Sequence, residues 1–423
     1  MLMQLAINGI LLALIPLAVV WASSDADKFR KLAWITVFLT FDLIMFGAFT
    51  RLTDSGLGCP DWPGCYGHAN PLQAHAHIAA AEALLPSGPV TVAKAWIEMI
   101  HRYLATSVGV LIIALLVISW RRWRAGRASR PAAVPGLTAA LQPDQAQQQS
   151  PLLQSSLLQP PLQHSPLLQP PLPQSPLPQS SLPPSPLLGA VILVIFCVQG
   201  AFGAWTVTFK LQPVIVTIHL LLAMLLLSTL AWLAAREGSQ PAVAATARAL
   251  RKPATLLLAL LVMQIALGGW VSTNYAAMAC TDFPLCQGTL LPAMDFQHSF
   301  TLWRQLGMTA DGAYLPFEAL TAIHWTHRMF AFVVAAAAVW LGCKAWKTAG
   351  LEKLGRGLLL AILLQFCTGI ASVFLQWPLA LAVLHSAGGA LLVLILVMLN
   401  YRTRIVDHRT PAPETGSAAL PTR

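Results

Sequence analysis

Apolar residues run along this chain in long uninterrupted blocks. Nine of them approach 20 residues, at 4–22, 32–50, 97–119, 187–206, 213–233, 254–273, 318–341, 354–375 and 378–400. A helix of about 20 apolar residues crosses a hydrocarbon layer about 30 Å thick. Inside such a layer a backbone amide has no water to bond, so each block is expected to be an α-helix that satisfies its own backbone. The first block, LAINGILLALIPLAVVW, has the length of a secretory signal. It lacks a basic start and a small-residue cleavage site before the next charges, so it reads as a retained span. The fold class expected is all-α and polytopic.

Composition agrees with that reading. Of 423 residues 56% are hydrophobic and 10% charged, whereas a soluble globular chain carries about 25% charged residues. The net charge of +10 would suit a nucleic-acid binder, but its distribution excludes one. Lys28, Arg30 and Lys31 form one cluster, and Arg121, Arg122, Arg124, Arg127 and Arg130 another. Arg236, Arg248, Arg251 and Lys252 follow, then Lys344, Lys347, Lys353 and Arg356, then Arg402, Arg404 and Arg409. The clusters occupy alternate loops, while the other loops hold only Arg51, Lys94, Lys210 and Arg304. Cationic loops stay on the cytoplasmic side. A bacterial inner-membrane protein is therefore expected, with its C-terminus cytoplasmic and, after nine spans, its N-terminus outside.

One stretch belongs to neither class. Residues 131–187 are a Pro/Gln/Ser/Leu repeat, PAAVPGLTAALQPDQAQQQSPLLQ and onward. Its prolines remove helix donors and its leucines keep no period, so a disordered, partly polyproline-II inner loop is expected, with His164 idle within it.

Setting that insert aside exposes an internal duplication. FGAFTRLTDSGLGCPDWPGC (46–65) matches LGGWVSTNYAAMACTDFPLC (267–286), and EMIHR (98–102) matches HWTHR (324–328). QGAFGAWTV (199–207) resembles QFCTGIASV (365–373), and PVIVTIHLLLAMLLL (213–227) matches PLALAVLHSAGGALL (378–392). The expected organisation is an extra N-terminal helix with its loop (1–31), a first four-helix half (32–235, including the insert), a second four-helix half (236–402) and a tail (403–423). Both halves start on the same side, so a pseudo-two-fold axis along the membrane normal should relate the tandem bundles.

Four histidines lie within apolar helices: His101, His219, His327 and His385. Ionisable side chains in lipid are costly and mark function, although a lone neutral histidine bonded to a neighbouring helix is the bland alternative. The duplication favours function, since it places one His near the same end of the second and fourth helix of each half. Two facing imidazoles can ligate both axial positions of a haem. Zinc would lack its usual four ligands. The halves differ at one place: Glu98 stands three residues before His101, whereas His324 stands three before His327. This spacing puts each pair on one helix face. Glu98 could accept a proton or stabilise a developing positive charge, or simply favour a helix start. On that asymmetry the first half is expected to do chemistry and the second to store or pass electrons, with His324 supporting the site rather than ligating. Arg102 and Arg328, next to His101 and His327, could pair with haem propionates or reach for the interface.

Of seven cysteines, Cys197, Cys343 and Cys367 lie in or at the end of spans and are expected to be buried hydrophobes. Cys59 with Cys65, and Cys280 with Cys286, form two proline-containing Cys-x5-Cys loops on the expected outer side. Either pair could be a permanent disulfide or a reducible electron relay.

RLTDSGLGCPDWPGCYG, AWIEMIHR, CTDFPLCQG, AIHWTHR and the two later histidines together resemble the haem A synthase family. The resemblance covers nearly all of 32–400; the first helix and the Pro/Gln-rich loop are departures. It implies an enzyme that oxidises the C8 methyl of haem O to a formyl group, giving haem A for cytochrome oxidase. It implies that His327 and His385 hold a haem b cofactor, that His101 and His219 flank the substrate, that Glu98 stands at the reacting edge, and that Cys59 and Cys65 form a disulfide. Implied partners are haem O, membrane lipid, a haem O synthase, an electron acceptor and further copies of the chain. A di-haem electron-transfer cytochrome, a haem carrier without chemistry and a disulfide relay share parts of this signature.

Overall fold

The computed structural model describes residues 1–128, 186–238 and 240–405. The Pro/Gln-rich stretch up to residue 185, with His164, and the tail from 406 lie outside them. The described residues form eleven α-helices: α1 (Leu2–Ala22), α2 (Lys28–Leu52), α3 (His75–Leu84), α4 (Val92–Ala128), α5 (Pro186–Thr208), α6 (Pro213–Arg236), α7 (Arg251–Thr273), α8 (Phe296–Ser299), α9 (Phe317–Trp346), α10 (Glu352–Phe374) and α11 (Leu379–Arg404). Nine are long and apolar enough to cross a membrane, one for each expected block, and the protein is a multi-pass membrane protein. Helix α5 begins at Pro186, inside the stretch expected to be irregular. Proline suits a first turn, because its missing N–H would have no intrahelical partner there.

Local chemistry sets the helix ends. Asp27 caps α2 by accepting from the Arg30 amide at 3.1 Å. Pro213 opens α6, and Pro316 and Pro378 stand just before α9 and α11. The α5–α6 and α10–α11 turns are built alike. Lys210 and Leu211, and likewise Gln376 and Trp377, take left-handed backbone conformations. The Leu211 amide donates to Thr206 O at 2.8 Å and the Trp377 amide to Ser372 O at 2.7 Å. Such tight turns force the joined helices to run antiparallel side by side.

The helices pack as two quadrilaterals. In one, α2, α4, α5 and α6 touch in a closed ring; in the other, α7, α9, α10 and α11 do the same. Helices α4 and α6 therefore stand at opposite corners of the first ring, as α9 and α11 do in the second. The rings join along α6, α11 and their neighbours, with α2 against α11 and α7 against α6. Helix α1 has no counterpart; it lies against α4 and α2. Between helices in lipid, close approach and van der Waals contact replace the hydrophobic drive. Small residues allow it: Gly9 of α1 sits on Thr106, and Gly355 of α10 lies on the backbone of α9 at Ala345 and Trp346.

Polar contacts tie the rings together on one side and fasten the second ring on the other. Beside the cysteine loops, Arg51 donates to Ser272 O at 2.7 Å and stacks on Tyr275, whose hydroxyl donates to Asp54 at 2.6 Å. On the far side, Asn400 donates to Ala254 O at 3.0 Å and accepts from Thr255 at 2.8 Å. There Arg402 also reaches the carbonyls of Pro241 and Gly350.

The α9–α10 contact gives a direct test. A methyl group on Gly355 would lie 2.7 Å from Trp346 Cα, and backbone cannot give way as a side chain can. Gly355→Ala is expected to destabilise the protein by about 1–3 kcal/mol, seen as a lower unfolding midpoint in detergent. Gly126→Ala, where a Cβ meets nothing within 4 Å, should leave it unchanged or raised.

Candidate functional site

A cavity of about 950 Å³ runs through the membrane part of the molecule, and His101, His219, His327 and His385 all line it. His101 is on α4 and His219 on α6, at opposite corners of the first ring. His327 on α9 and His385 on α11 occupy the same corners of the second. The rest of the lining is mostly apolar, with Val108, Ile113, Phe196 and Leu220 among the walls of the first half. Leu2, Leu5, Ala6 and Ile10, along one side of α1, also reach it. The extra helix thus walls the first-half site laterally.

Each imidazole packs on a glycine. A Cβ on Gly47 of α2 would lie 3.0 Å from His101 Nε2, and one on Gly268 of α7 would lie 3.0 Å from His327 Cε1. On the other side, a Cβ on Gly203 of α5 would meet His219 Cε1 at 3.2 Å, and one on Gly369 of α10 would meet His385 Cε1 at 3.1 Å. Any other residue at these four places would push a ring towards the opposite corner. Gln199 and Gln365 place their amide nitrogens 3.3 Å from Nε2 of His219 and His385. The side-chain oxygens of Gln199, Gln264 and Gln365, and Nδ1 of His219, are buried without partners. None of these glycines or glutamines was singled out from sequence. The signal was there, because Gly47 and Gly268, Gly203 and Gly369, and Gln199 and Gln365 fall in register in the repeat.

The residues present suit a haem in each half. Two neutral nitrogen donors stand at opposite corners, the walls between them are apolar, and glycine leaves room beside each donor. Arg328 adds polar capacity at the cavity edge. It is 8% exposed, and its Nε and Nη1 have no partner.

The cysteine loops cap the same end of each ring. Cys59–Cys65 and Cys280–Cys286 are disulfides. In each, an aspartate folds the loop: Asp61 accepts from the Tyr66 amide at 2.6 Å and from Gly67 at 2.8 Å, and Asp282 from Gln287 at 2.8 Å and Gly288 at 2.9 Å. Gly67 and Gly288 have φ of +75° and +76°, a conformation that favours glycine. The loops are fastened to the helices by the residues around the histidines. Glu98 accepts from the Cys59 amide at 2.8 Å and pairs with Arg102. His324 Nδ1 accepts from the Cys280 amide at 3.2 Å. The Glu98/His324 difference between the halves thus falls at an equivalent hydrogen bond. Arg102 donates to the carbonyls of Asp61 and Gly64, and Arg328 to those of Asp282 and Leu285. Both Glu98 and Arg328 also line the cavity.

The remaining cysteines correct an expectation. Cys197, Cys343 and Cys367 are exposed on helix surfaces rather than buried. A thiol is apolar enough to face lipid as readily as a protein interior.

A polytopic helical protein with paired intramembrane histidines under disulfide-closed loops matches a known family. Residues 30–143 and 179–397 match the cytochrome oxidase assembly protein family, and the chain belongs to it. Among curated relatives, the Heme A synthase of Shewanella oneidensis is 33% identical over 377 residues, 88% of this chain and 96% of that one. The Heme A synthase of a Bradyrhizobium strain is 26% identical over 406 residues, covering 89% and 91%. That of Sinorhizobium fredii is 25% identical over 411 residues, covering 92% and 94%. The family match starts after α1, so the helix that walls the first-half cavity lies outside it.

The aspartate turn predicts a pH effect. The Gly288 and Gln287 amides hold the Asp282 carboxyl below its ordinary value of 3.8. A carboxyl depressed by folding stabilises the fold above its unfolded value, and that stability is lost as pH falls through the folded value. The protection of the 282–288 amides, once exchange is corrected for its intrinsic pH dependence, should therefore be constant near neutrality and fall below about pH 4. Asp282→Asn should exchange fast throughout and lose the acid-dependent step.

Proposed function

We propose that this chain is a haem A synthase, which oxidises the C8 methyl of haem O to a formyl group and delivers haem A for cytochrome oxidase. The observation that carries this reading is the pair of similar histidine sites, in one of which Glu98 stands where the other has the imidazole of His324. His101 and His219 hold the substrate haem O. His327 and His385 hold a haem b cofactor, which when bound supplies a one-electron centre.

Within the first half, this chain's own residues do three things. The α4 and α6 histidines fix the macrocycle between opposite corners, which orients one edge and converts binding into positioning. Apolar walls and α1 exclude water. Glu98, held by the Cys59 amide and Arg102, keeps a carboxylate fixed at the disulfide end, where it takes a proton from the hydroxylated methyl or stabilises positive charge beside it. In the second half His324 fills that place, which suits electron transfer and not methyl oxidation. Arg328, with two unpartnered nitrogens, is the propionate partner there. The disulfides hold the caps on the periplasmic side of a bacterial inner membrane, with the C-terminus cytoplasmic. Haem O reaches the site from a haem O synthase, and electrons leave to an acceptor outside this chain.

Pigment analysis tests the reading. In cells that make haem O but no haem A, expression of this protein should yield extractable pigment with the mass of haem A. Glu98→Gln retains an oxygen for the Cys59 amide, and should lower haem A by about 100-fold or more while bound haem stays at wild-type level. Haem bound by the wild-type protein but never converted would favour the carrier or the di-haem cytochrome, and undiminished haem A in Glu98→Gln would remove Glu98 from the chemistry.

A further inference from the structure

The two rings hold their fourth-helix histidines in the same orientation but not with the same bonds. His219 and His385 meet Gly203 and Gly369 at nearly equal distances through the same ring atom, and Gln199 and Gln365 stand 3.3 Å from Nε2 in both. The difference lies on the Nδ1 side. Thr368 Oγ1 donates its proton to Gln365 O at 3.0 Å, which leaves its lone pairs towards His385 Nδ1, 3.1 Å away. The hydroxyl can then only accept, so Nδ1 carries the ring proton and Nε2, which the Gln365 amide nitrogen approaches at 3.3 Å, keeps its lone pair. In register with Thr368, the first half has Phe202, which packs on Trp205 with ring centroids 4.9 Å apart. There His219 Nδ1 is buried with no partner. The second-helix histidines also differ between the halves. There the polarity is the reverse, because Gln264 places its amide nitrogen, a donor, 3.1 Å from His327 Nδ1, and the residue in register in the first half is Leu43.

A metal-bound imidazole whose other nitrogen donates to an acceptor is fixed in tautomer and orientation and made more basic. We propose that Thr368 is a positioning residue that makes His385 a permanent haem ligand, and that Phe202 in its place leaves His219 a weaker ligand that lets go of its pigment. The second half would then keep its haem through turnover, and the first would admit haem O and release haem A. This rests on the assignment of substrate and cofactor halves above. It adds the residues that make otherwise equivalent sites differ in hold.

The test uses purified full-length protein and three variants. Thr368→Val preserves shape and removes the acceptor, and Thr368→Ser restores it. With excess apomyoglobin as haem scavenger, Thr368→Val should lose the second-half haem on the order of 10-fold faster than wild type. The midpoint potential of that haem should also move to more positive values, because a less basic ligand stabilises the ferric state less. Thr368→Ser should match wild type in both. Equal loss rates and equal potentials for the Val and Ser variants would overturn the proposal. Phe202→Thr should slow transfer of first-half pigment to the scavenger, and an unchanged rate would overturn that half of it. The assignment of halves is read separately, in cells without haem O: resident haem should vanish in His385→Ala and persist in His219→Ala. The reverse would refute the assignment, while the Val–Ser comparison would still report on the grip at His385.

Discussion

An imidazole on a membrane-spanning helix needs a neighbouring backbone close enough to pack on and a free face for a ligand. Four times in this protein a glycine on the adjacent helix meets the need, and four times the ring is turned towards a cavity between opposite helix corners. Much of the remaining structure follows from keeping those rings in place. The tight turns at 210–211 and 376–377 align α5 with α6 and α10 with α11. The disulfide loops close the ends of α4 and α9, and the arginine beside each of His101 and His327 bonds the carbonyls of its loop. Each of these contacts lies within a few residues of a histidine or of its neighbouring helix end.

Duplication explains why the two sites are alike, and a few substitutions explain why they need not act alike. At the disulfide end, a carboxylate in one half and an imidazole in the other accept the same cysteine amide. On the fourth helix, one histidine meets a threonine at Nδ1 and the other has no partner at that nitrogen. Neither change disturbs the packing, because each replaces one side chain at an equivalent helix position. A duplicated bundle can in this way divide a binding task from a chemical one at little structural cost.

Much of this was legible in the sequence. Nine apolar blocks gave nine helices because lipid leaves backbone no alternative to internal bonding. Quoted repeats placed the four histidines in register, and the Cys-x5-Cys spacing did close as disulfides. Other features were hidden by distance along the chain. Glu98 and Cys59 are 39 residues apart, and α4 begins at Val92, so that an acid in its second turn and a loop amide share a hydrogen bond was not visible beforehand. Glycine facing histidine is a contact between helices, and only the register of the repeat hints at it. Helix α1, which lies outside the family match, stood apart from the repeat and proves to wall the first-half side of the cavity. The three remaining cysteines were misjudged because apolarity does not distinguish a lipid-facing position from a buried one.

The central claim is that each half clasps one iron between two imidazoles at opposite corners of its ring. Low-temperature electron paramagnetic resonance of the oxidised, purified protein tests it most directly. Bis-imidazole ligation predicts a low-spin ferric signal from the second half that is lost equally in His327→Ala and His385→Ala. In protein from cells without haem O, where the first half has no substrate to bind, a low-spin signal that survives both substitutions would contradict it.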